Sequence, residues 1–501
     1  MPRVISRALG PVVLVAVLAC SDPSSGGTAP PRLPNIIFIL SDDEDVGSHS
    51  FLPKTKALLE DQGATLRNFF TTYSLCCPSR ASILRGQYPH NTKVESNALP
   101  SGGYLRFKNL GREEATIATW LSQAGYRTIL MGKYFNGYDV GTAGPAPPGW
   151  SDWVGALGTQ PASGFNYSLD EDGAFVNFGA TPADFFTDVI ASKAVAAIHQ
   201  AAKDSLPIFL YLAPFSPHLP AAFAPRHASL FGSTPLPIAP NYNESDVSDK
   251  PLAIRSLPLL GSTTLSDLTR VYRNRLRALQ SVDDLVDSIV TALGDEHLLD
   301  KTWIFYLSDN GFHMGAHRSR LGKNLPYEED LRVPFVVRGP GVPAGLVVNE
   351  IGLNTDLAST FAEIAQVTPT VAQDGRSLVP LLTATGAPGW RRSFQAERSS
   401  EDTTSIFMAA DATHPQLELG DAVTSFAGVG WNAIRSERWK YVEWETGERE
   451  LYDLTADPYE MRNLLFVGGD TIAVPALATR LHQLMTCAGP RCSELEDLPV
   501  P

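Results

Sequence analysis

The 501-residue sequence has no excess of positive charge, few cysteines and, after residue 20, no long apolar run. Its formal net charge of −14 disfavours nucleic acid and anionic membrane surfaces as partners, because neither attracts an acidic protein. Without a further apolar run of membrane-spanning length, the body of the chain is expected to be globular. An anionic substrate would therefore have to meet a locally positive site.

The start of the chain predicts an export signal. Residues 1–19 carry two arginines ahead of the short apolar run Val12–Leu18, which is too short to span a bilayer. Val17–Cys20 is similar to a bacterial lipobox, and residues 20–34, rich in Ser, Gly and Pro, predict a flexible tether. We expect an exported protein, an outer-membrane lipoprotein held by a lipid on Cys20 or a periplasmic or secreted form. An ordinary signal cleaved nearby is the alternative.

The remaining chain is long enough to bury one large core and a smaller one, since 44% of the sequence is apolar. We expect the large domain at residues 35–390. After residue 390 the pattern changes to short strands separated by turns, including Ala433–Glu445 and Glu450–Leu454, followed by a last helix. The sequence therefore predicts a smaller C-terminal subdomain at residues 391–501.

Two short apolar runs, Asn35–Leu40 and Thr302–Leu307, predict buried strands that each end in polar residues. The polar residues concerned are Asp42, Asp43, Asp309 and Asn310. Ligands of open α/β sheets bind at the carboxyl ends of strands, so these side chains are candidates for one cation site. Taken alone, the acids after the first strand are as compatible with a solvated turn as with a cation site. An all-oxygen ligand set suits Ca²⁺ or Mg²⁺ and not zinc.

The stretch Cys76–Gly86 is the strongest candidate for a chemical function. By themselves, two adjacent cysteines are about as often a buried thiol, a metal site or half of a disulfide as they are part of an active site. Here Pro78 and Ser79 follow, and Arg80 would lie one turn into a helix started by Ala81–Leu84. A potential nucleophile at a tight turn beside a fixed cation predicts an anion-binding site.

The full string, Cys-Cys-Pro-Ser-Arg-Ala-Ser-Ile-Leu-Arg-Gly, resembles the modification signature of the type I sulfatases. The resemblance implies that a formylglycine-generating or other sulfatase-modifying enzyme oxidises Cys76 to formylglycine (3-oxoalanine). A hydrated aldehyde carries two hydroxyls on one carbon, so one can attack sulfur and the other can later release sulfate. One position departs from the family pattern, since Arg85 stands where threonine is usual.

The resemblance extends from about Asn35 to Cys492 and implies a fold and a metal site. The implied fold is α/β, an alkaline-phosphatase-like sandwich with a large mixed central sheet flanked by helices and a small C-terminal antiparallel-sheet subdomain. In this family one calcium ion is held by the four strand-end residues and the formylglycine. Carried over, the metal ligands are Asp42, Asp43, Cys76, Asp309 and Asn310.

A second string, Gly125–Asn136, resembles the second sulfatase signature and makes Lys133 a sulfate-binding cation, beside Arg80. Many arylsulfatases have a histidine two residues after this lysine, whereas here Phe135 and Asn136 follow. The Gly-Lys-Tyr-x-Asn form resembles the N-acetylglucosamine-6-sulfatase branch and its heparan endosulfatase relatives. The resemblance therefore implies a preference for a 6-O-sulfate.

Three histidines and one further lysine complete the candidate site. Leu210–His218 predicts a buried strand that ends near His218. His218 matches the family histidine that faces the leaving oxygen, and the resemblance makes it the leaving-group acid. A histidine flanked by prolines is about as often structural as catalytic. Family spacing places Lys323 at the sulfate. Family spacing also places either His313 or His317 near the sulfate. His313 is favoured for this position because its Asn-Gly-aromatic-His string matches the glucosamine branch.

The sequence thus predicts a calcium- and formylglycine-dependent sulfatase acting on sulfated sugars, with glycosaminoglycan fragments as the expected substrates. The five cysteines divide accordingly: Cys20 carries lipid, Cys76 and Cys77 lie at the site, and Cys487 and Cys492 close a short disulfide loop. Two alternatives stay open. One is a phosphodiesterase or phosphonate hydrolase on the same fold, and the other is a non-catalytic glycan-binding lipoprotein.

Overall fold

The computed structural model describes residues 1–2, 33–383, 387–402, 428–466, 468 and 472–501. The predicted signal from residue 3 onward, the lipobox and Cys20 lie outside the described residues. The strands are β1 Asn35–Ser41, β2 Ala64–Phe70, β3 Arg127–Gly132, β4 Asp152–Ala156, β5 Ser168–Glu171, β6 Ala174–Asn177, β7 Ile208–Ala213, β8 Thr302–Ser308, β9 Phe335–Arg338, β10 Leu346–Leu353, β11 Ser393–Arg398, β12 Trp431–Ser436, β13 Trp439–Trp444 and β14 Arg449–Asp453. The longer helices are α1 Cys76–Arg85, α2 Gly103–Asn109, α3 Ile117–Gln123, α4 Phe186–Asp204, α5 Ser262–Asp295, α6 Asp356–Ile364, α7 Val474–Leu484 and α8 Pro490–Asp497.

In the described chain, ten strands form one mixed sheet in the order β10-β2-β9-β8-β1-β7-β3-β4-β5-β6. Its centre is a parallel block of β8, β1, β7, β3 and β4. Strands β9, β5 and β6 run antiparallel to their neighbours. Strands β1, β7 and β8 are buried along their whole length, as expected of parallel strands covered on both faces.

Helices cover both faces of this sheet. Because successive strand residues point to opposite faces, Ile36, Phe38 and Leu40 pack in one core with α1, α3 and α6. Ile37 and Ile39 pack in a second core with α4 and α5. This three-layer arrangement confirms the predicted α/β sandwich.

A separate antiparallel sheet, in the order β11-β12-β13-β14, follows the large sheet in the sequence. It shares a core with α7 and α8, and the predicted disulfide joins Cys487 to Cys492. The predicted strand Ala433–Glu445 was wrong as a single element, because a tight turn divides it into β12 and β13. The described residues between Leu33 and Pro501 form one compact unit. No helix within the described part of the chain is both long and apolar enough to cross a membrane.

The end of β3 requires glycine. Gly132 has φ +113°, and a Cβ added there would lie 2.2 Å from the carbonyl oxygen of Ala213 on β7. We therefore expect Gly132→Ala to lower the free energy of unfolding by about 3 kcal/mol or more, measured by denaturant titration. Gly125→Ala is the matched control, because its φ is +87° but no described atom lies within 4 Å. It should cost about 1 kcal/mol, and equal losses would contradict the steric argument.

Candidate active site

The carboxyl ends of four adjacent parallel strands meet at one edge of the large sheet. Strands β1 and β8 pair in register up to Ser41 and Ser308, so Asp42 and Asp309 leave the sheet side by side. Strands β3 and β7 pair up to Gly132 and Ala213, which places Lys133 at the same edge. The register of the strands therefore gathers residues that are distant in sequence.

Helix α1 brings the cysteines to this edge. The helix begins at Cys76 itself, so the prediction that it starts at Ala81 was wrong. Leu75 provides no side-chain cap, and the Cys77 amide instead donates to Asn97 Oδ1 at 2.9 Å. Cys76 thus lies at the positive end of the helix dipole, where an anion is stabilised.

The Cys76 thiol is fully buried among charged groups. Its Sγ lies 2.8 Å from Lys323 Nζ and 3.7 Å from Asp42 Oδ1. Burial raises the pKa of the thiol, and the nearby charges of Lys133 and Lys323 only partly offset this effect. The unmodified side chain is therefore a neutral thiol, the less reactive form of cysteine.

Three buried carboxylates lie next to this sulfur. Oxygens of Asp42, Asp43 and Asp309 all lie within 4.8 Å of one another. Asn310 Nδ2 donates to Asp43 Oδ1 at 2.7 Å, and the Asp43 amide donates to Asp309 Oδ1 at 3.2 Å. Asp43 Oδ2 is buried without a hydrogen-bond partner among the described residues. An all-oxygen set with an uncommitted carboxylate oxygen fits a hard cation such as Ca²⁺.

Three cations face these carboxylates. Lys133 Nζ donates to Asp42 Oδ2 at 2.5 Å, and Lys323 Nζ donates to Asp43. Arg80 is fully buried, and its Nε and Nη2 both lie 2.9 Å from Asp309 Oδ2. A further donation at 2.9 Å joins Arg80 Nη1 to the carbonyl oxygen of Lys133. Arg80 therefore holds Asp309 and the end of β3 in fixed positions.

The carboxylates differ in their electrostatic environment. Burial would raise the pKa of Asp42, but Lys133 and His218 bring it well below its usual value. Burial also opposes ionisation of Asp43, whose pKa is nevertheless lowered by Lys323 and His218. For Asp309, burial and the charge of Asp42 together raise the pKa. The site thus balances three acids against three buried cations.

His218 joins the cluster from the chain after β7. Its Nε2 lies 3.8 Å from Asp43 Oδ2, and it falls within the same 4.8 Å group as Asp42 and Cys76. The Nδ1 atom bonds the carbonyl oxygen of Leu219 at 2.6 Å, which fixes the ring. With its side chain 21% exposed, His218 is open to solvent, whereas the carboxylates are not.

His313 and His317 lie in different environments. The backbone of His313 pairs with Gly322, directly before Lys323, and its Nδ1 bonds Asp330 Oδ1 at 2.8 Å. His317 Nδ1 instead bonds a carboxylate outside the cluster, Glu244 Oε2, at 2.7 Å. Burial lowers the pKa of His317 to about 3, so its ring is neutral. The preference for His313 over His317 agrees with these positions, but its role stays a prediction.

Two positions that depart from the sulfatase pattern have structural partners. Arg85 is buried, and its Nη1 donates to the carbonyl oxygens of Arg112 and Ala115 at 2.9 and 2.8 Å. The Asn136 amide lies 3.2 Å from Cys77 Sγ, which also lies 3.5 Å from Asn136 Oδ1. Asn136 therefore contacts the second cysteine of the pair.

Sequence reasoning missed Arg275, a fully buried residue of α5. Its Nη2 donates to the carbonyl oxygen of Asp43 at 2.5 Å and lies 3.2 Å from Asp45 Oδ2, while its guanidinium stacks on Phe312 at 4.2 Å. Arg275 therefore contacts both the loop that follows β1 and the loop that follows β8. The available signal was an arginine on the apolar stripe of a long amphipathic helix.

A buried acid in contact with Tyr134 should make stability depend on pH. Tyr134 donates to Glu113 Oε1 at 3.4 Å, and burial raises the Glu113 pKa from 4.5 to about 7. The folded state thus favours the protonated acid, and this stabilisation is lost as pH rises through 7. We expect Glu113→Gln to match the wild type near pH 4 and to exceed its free energy of unfolding at pH 8 by about 3 kcal/mol.

The matched control is Glu114→Gln, because Glu114 is exposed. Its free energy of unfolding should follow that of the wild type within about 0.5 kcal/mol at both pH values. Denaturant titrations at pH 4 and pH 8 give both comparisons. A Glu113→Gln variant without a gain at pH 8 would contradict the buried-acid interpretation.

Comparison with known proteins identifies the family. The sulfatase family model matches residues 34–367. An arylsulfatase of Volvox carteri is 34% identical over 92% of this chain and 76% of its own. The N-acetylglucosamine-6-sulfatase of Homo sapiens is 33% identical over 96% of this chain and 90% of its own.

A solved structure supports the same fold. It is described as a complex with its substrate D-glucosamine-2-N,6-O-disulfate, and it covers 93% of this chain and 99% of its own, with a TM-score of 0.72 and 23% identity. The alkaline-phosphatase-like sandwich expected from the sequence is thus confirmed. With a matching family model over most of its length and relatives above 30% identity, this chain belongs to the sulfatase family of sulfuric ester hydrolases.

Proposed function

We propose that this protein hydrolyses sulfate monoesters on extracellular sugars, with the 6-O-sulfate of N-acetylglucosamine or of glycosaminoglycan fragments as its substrate. Two facts support the sugar and the position. The string Gly132–Asn136 has the form found in the glucosamine branch, and a relative of that name aligns with 96% of the chain. A neighbour of the same fold is described with a 6-O-sulfated glucosamine.

The observation that carries the proposal is the convergence of Cys76 with buried carboxylates and lysines at one sheet edge. We assign Cys76 as the precursor of formylglycine, made by a sulfatase-modifying enzyme. Formylglycine supplies a hydrated aldehyde, and thus a nucleophilic hydroxyl, where the thiol now lies. Lys323 Nζ, 2.8 Å from Sγ, is close enough to orient that group by hydrogen bonding.

The proposed metal is one calcium ion held by Asp42, Asp43, Asp309 and Asn310 with residue 76. Calcium supplies a positive charge that lowers the pKa of a bound hydroxyl. The chain contributes the rigid frame for these ligands. Arg80 fixes Asp309, and Arg275 fixes the backbone of Asp43.

Lys133, Lys323 and Arg80 are the proposed cations that neutralise the charge of the sulfate oxygens. Both lysines are nearly buried, so their charges act on a bound anion with little screening by water. His218 is the proposed acid for the leaving sugar oxygen. Its Nδ1 is committed to Leu219, which leaves Nε2 to carry the exchanged proton. We place His313 beside Lys323 as a supporting group.

We further propose that the protein is exported and held at the bacterial outer membrane by a lipid on Cys20. The lipobox-like Val17–Cys20 and the tether-like composition of residues 20–34 support this location. A periplasmic or secreted form would follow from cleavage at a neighbouring position instead.

The proposed function predicts a specific order of substrates. With protein made alongside a modifying enzyme, we expect kcat/KM to be highest for glucosamine 6-O-sulfate, compared with the 3-O-sulfate, the N-sulfate and a 4-O-sulfated galactosamine. An aryl sulfate should also exceed the matching aryl phosphate diester in kcat/KM, because the sulfate monoester presents three terminal oxygens to the cations, whereas the equally charged diester presents two and carries a second ester group. Preference for another isomer would refute the 6-O assignment, and preference for the diester would favour the phosphonate hydrolase alternative.

A further inference from the structure

The lysine segment, Gly322–Leu325, connects the catalytic cluster to the small C-terminal sheet (β11 to β14). Its Lys323 is buried, with Nζ 2.8 Å from Cys76 Sγ and bonded to Asp43 Oδ1. Leu325, two residues later, packs in the core that the small sheet shares with α7 and α8. A lysine ammonium group sits on a flexible four-carbon stem, so its position depends on how firmly the backbone beneath it is held.

The backbone of the lysine segment is left-handed at a residue that is not glycine. Asn324, directly after Lys323, has φ +78°. Asparagine tolerates this region better than most residues do, but such a conformation persists only where the surrounding structure fixes it. The conformation beside the lysine therefore depends on contacts from other parts of the molecule.

Two residues of the large domain bond the ends of the lysine segment. The backbones of His313 and Gly322 exchange hydrogen bonds of 2.9 and 3.2 Å. At the other end, the Leu325 amide donates to Asp330 Oδ2 at 2.7 Å. These contacts leave the carbonyl oxygen of Asn324, which belongs to the same peptide group as the Leu325 amide, to a partner from elsewhere.

That partner is Trp431, the first residue of β12 in the small sheet. Its indole Nε1 donates to the carbonyl oxygen of Asn324 at 2.9 Å. Trp431 is fully buried and packs in the same core as Leu325. The peptide group after Asn324 is therefore held on its N–H side by the large domain and on its C=O side by the small sheet. Loss of the indole N–H would leave a buried carbonyl oxygen without this donor.

We propose that Trp431 is a positioning residue for Lys323. Through the carbonyl group of Asn324, the small sheet sets where the Lys323 ammonium group lies relative to residue 76 and to a bound sulfate. Without the indole N–H, the neighbouring peptide group can turn, and the ammonium group moves away from the sulfate. This inference rests on the proposed function, because it takes Lys323 as a sulfate-binding cation. It gives the small sheet, which contributes none of the proposed catalytic residues, an effect on the reaction.

The test compares Trp431→Phe with the wild type in two measurements, the affinity for inorganic sulfate by calorimetric titration and kcat/KM for an aryl sulfate. Sulfate binding should weaken about tenfold, because a hydrogen bond to a charged group is worth about that factor in affinity. The value of kcat/KM should fall by about 10²-fold, since a displacement of about 1 Å at a reacting site can cost that much.

Trp439→Phe is the matched control. Trp439 is a buried tryptophan at the start of the next strand, β13, and its Nε1 has no hydrogen-bond partner among the described residues. The substitution removes the same atoms from the same sheet but no bond to the lysine segment. It should keep sulfate affinity and kcat/KM within about twofold of the wild type, and losses equal to those of Trp431→Phe would overturn the proposal.

A double-mutant cycle separates positioning from a general loosening of the fold. In a Lys323→Ala background, Trp431→Phe should change sulfate affinity by less than about twofold, because no ammonium group remains to be displaced. The same tenfold loss in both backgrounds would mean that Trp431 does not act through Lys323, and it would overturn the proposal.

Thermal unfolding shows whether each variant is folded before affinities are compared. If Trp431→Phe does not fold, 3-benzothienylalanine at position 431 takes its place, since its ring has the size of indole and carries sulfur where indole has the N–H group. Unchanged sulfate affinity in that variant would overturn the proposal, as would a wild type that binds no sulfate. A wild type that binds sulfate but hydrolyses no sulfate ester would contradict the proposed function alone, and the sulfate-affinity cycle would still decide the role of Trp431.

Discussion

Cys76→Ala is expected to abolish hydrolysis of an aryl sulfate, with kcat falling by at least about 10⁴-fold. The substitution removes the atom from which the nucleophile is made, and no other described side chain occupies its position beside Lys323 Nζ. The fold should persist, because alanine is tolerated at the first turn of α1 and fills most of the same buried space. Initial rates and a thermal unfolding curve measure both effects.

The neighbouring cysteine provides the matched control. Cys77 is equally buried and lies in the same helical turn, but its sulfur contacts Asn136 and not the carboxylates. Cys77→Ala should therefore keep kcat within about tenfold of the wild type. Mass spectrometry of the peptide containing residue 76 should show formylglycine in active wild-type protein. Intact cysteine in a fully active preparation would refute the assignment of the nucleophile.

Calcium is expected to raise the melting temperature and restore the activity of chelator-treated enzyme. A cation at 100 times its Kd adds about 2.7 kcal/mol to the free energy of unfolding, which corresponds to a shift of about 3 °C in a protein of this size. Asp43→Asn should abolish both effects, because it removes a buried carboxylate whose Oδ2 is uncommitted among the described residues. Thermal unfolding with and without calcium measures the stabilisation independently of turnover.

Asp45→Asn is the control for this experiment. Asp45 lies two residues further along the same loop, but its carboxylate accepts from Ser48 and pairs with Arg275. The variant should be less stable overall and still gain about 3 °C in melting temperature on calcium addition. If calcium stabilises Asp43→Asn as much as Asp45→Asn, the three-carboxylate site does not bind the ion.

Much of the site was predictable because its parts are local patterns. The runs at Asn35 and Thr302 are apolar and β-rich over six residues, so each predicted a buried strand with acids at its end, and both are found. The cysteine motif was also local, yet the start of α1 was placed five residues late. Helix propensity gave no reason to begin at Cys76, whose helix end is capped by the distant Asn97.

Other features could not be predicted because their causes lie far away in the sequence. The stretch at 433–445 mixes apolar and charged residues and has no glycine or proline to mark a turn, so only the pairing of β12 with β13 shows where the hairpin turns. Likewise, Arg275 is an ordinary helix residue until α5 packs over the β1 and β8 loops. Only then does its guanidinium reach Asp43 and Asp45.

The sequence by itself determined the α/β class, the family, the candidate nucleophile and the acids at the strand ends, because alternation, apolar runs and motif spacing act over a few residues. The tertiary structure alone decided that these groups form one site. Ser41 and Ser308 pair directly although they lie far apart in the chain, and this register places Asp42 beside Asp309. Such long-range pairing is set by the burial of both faces of the sheet, which no local pattern specifies.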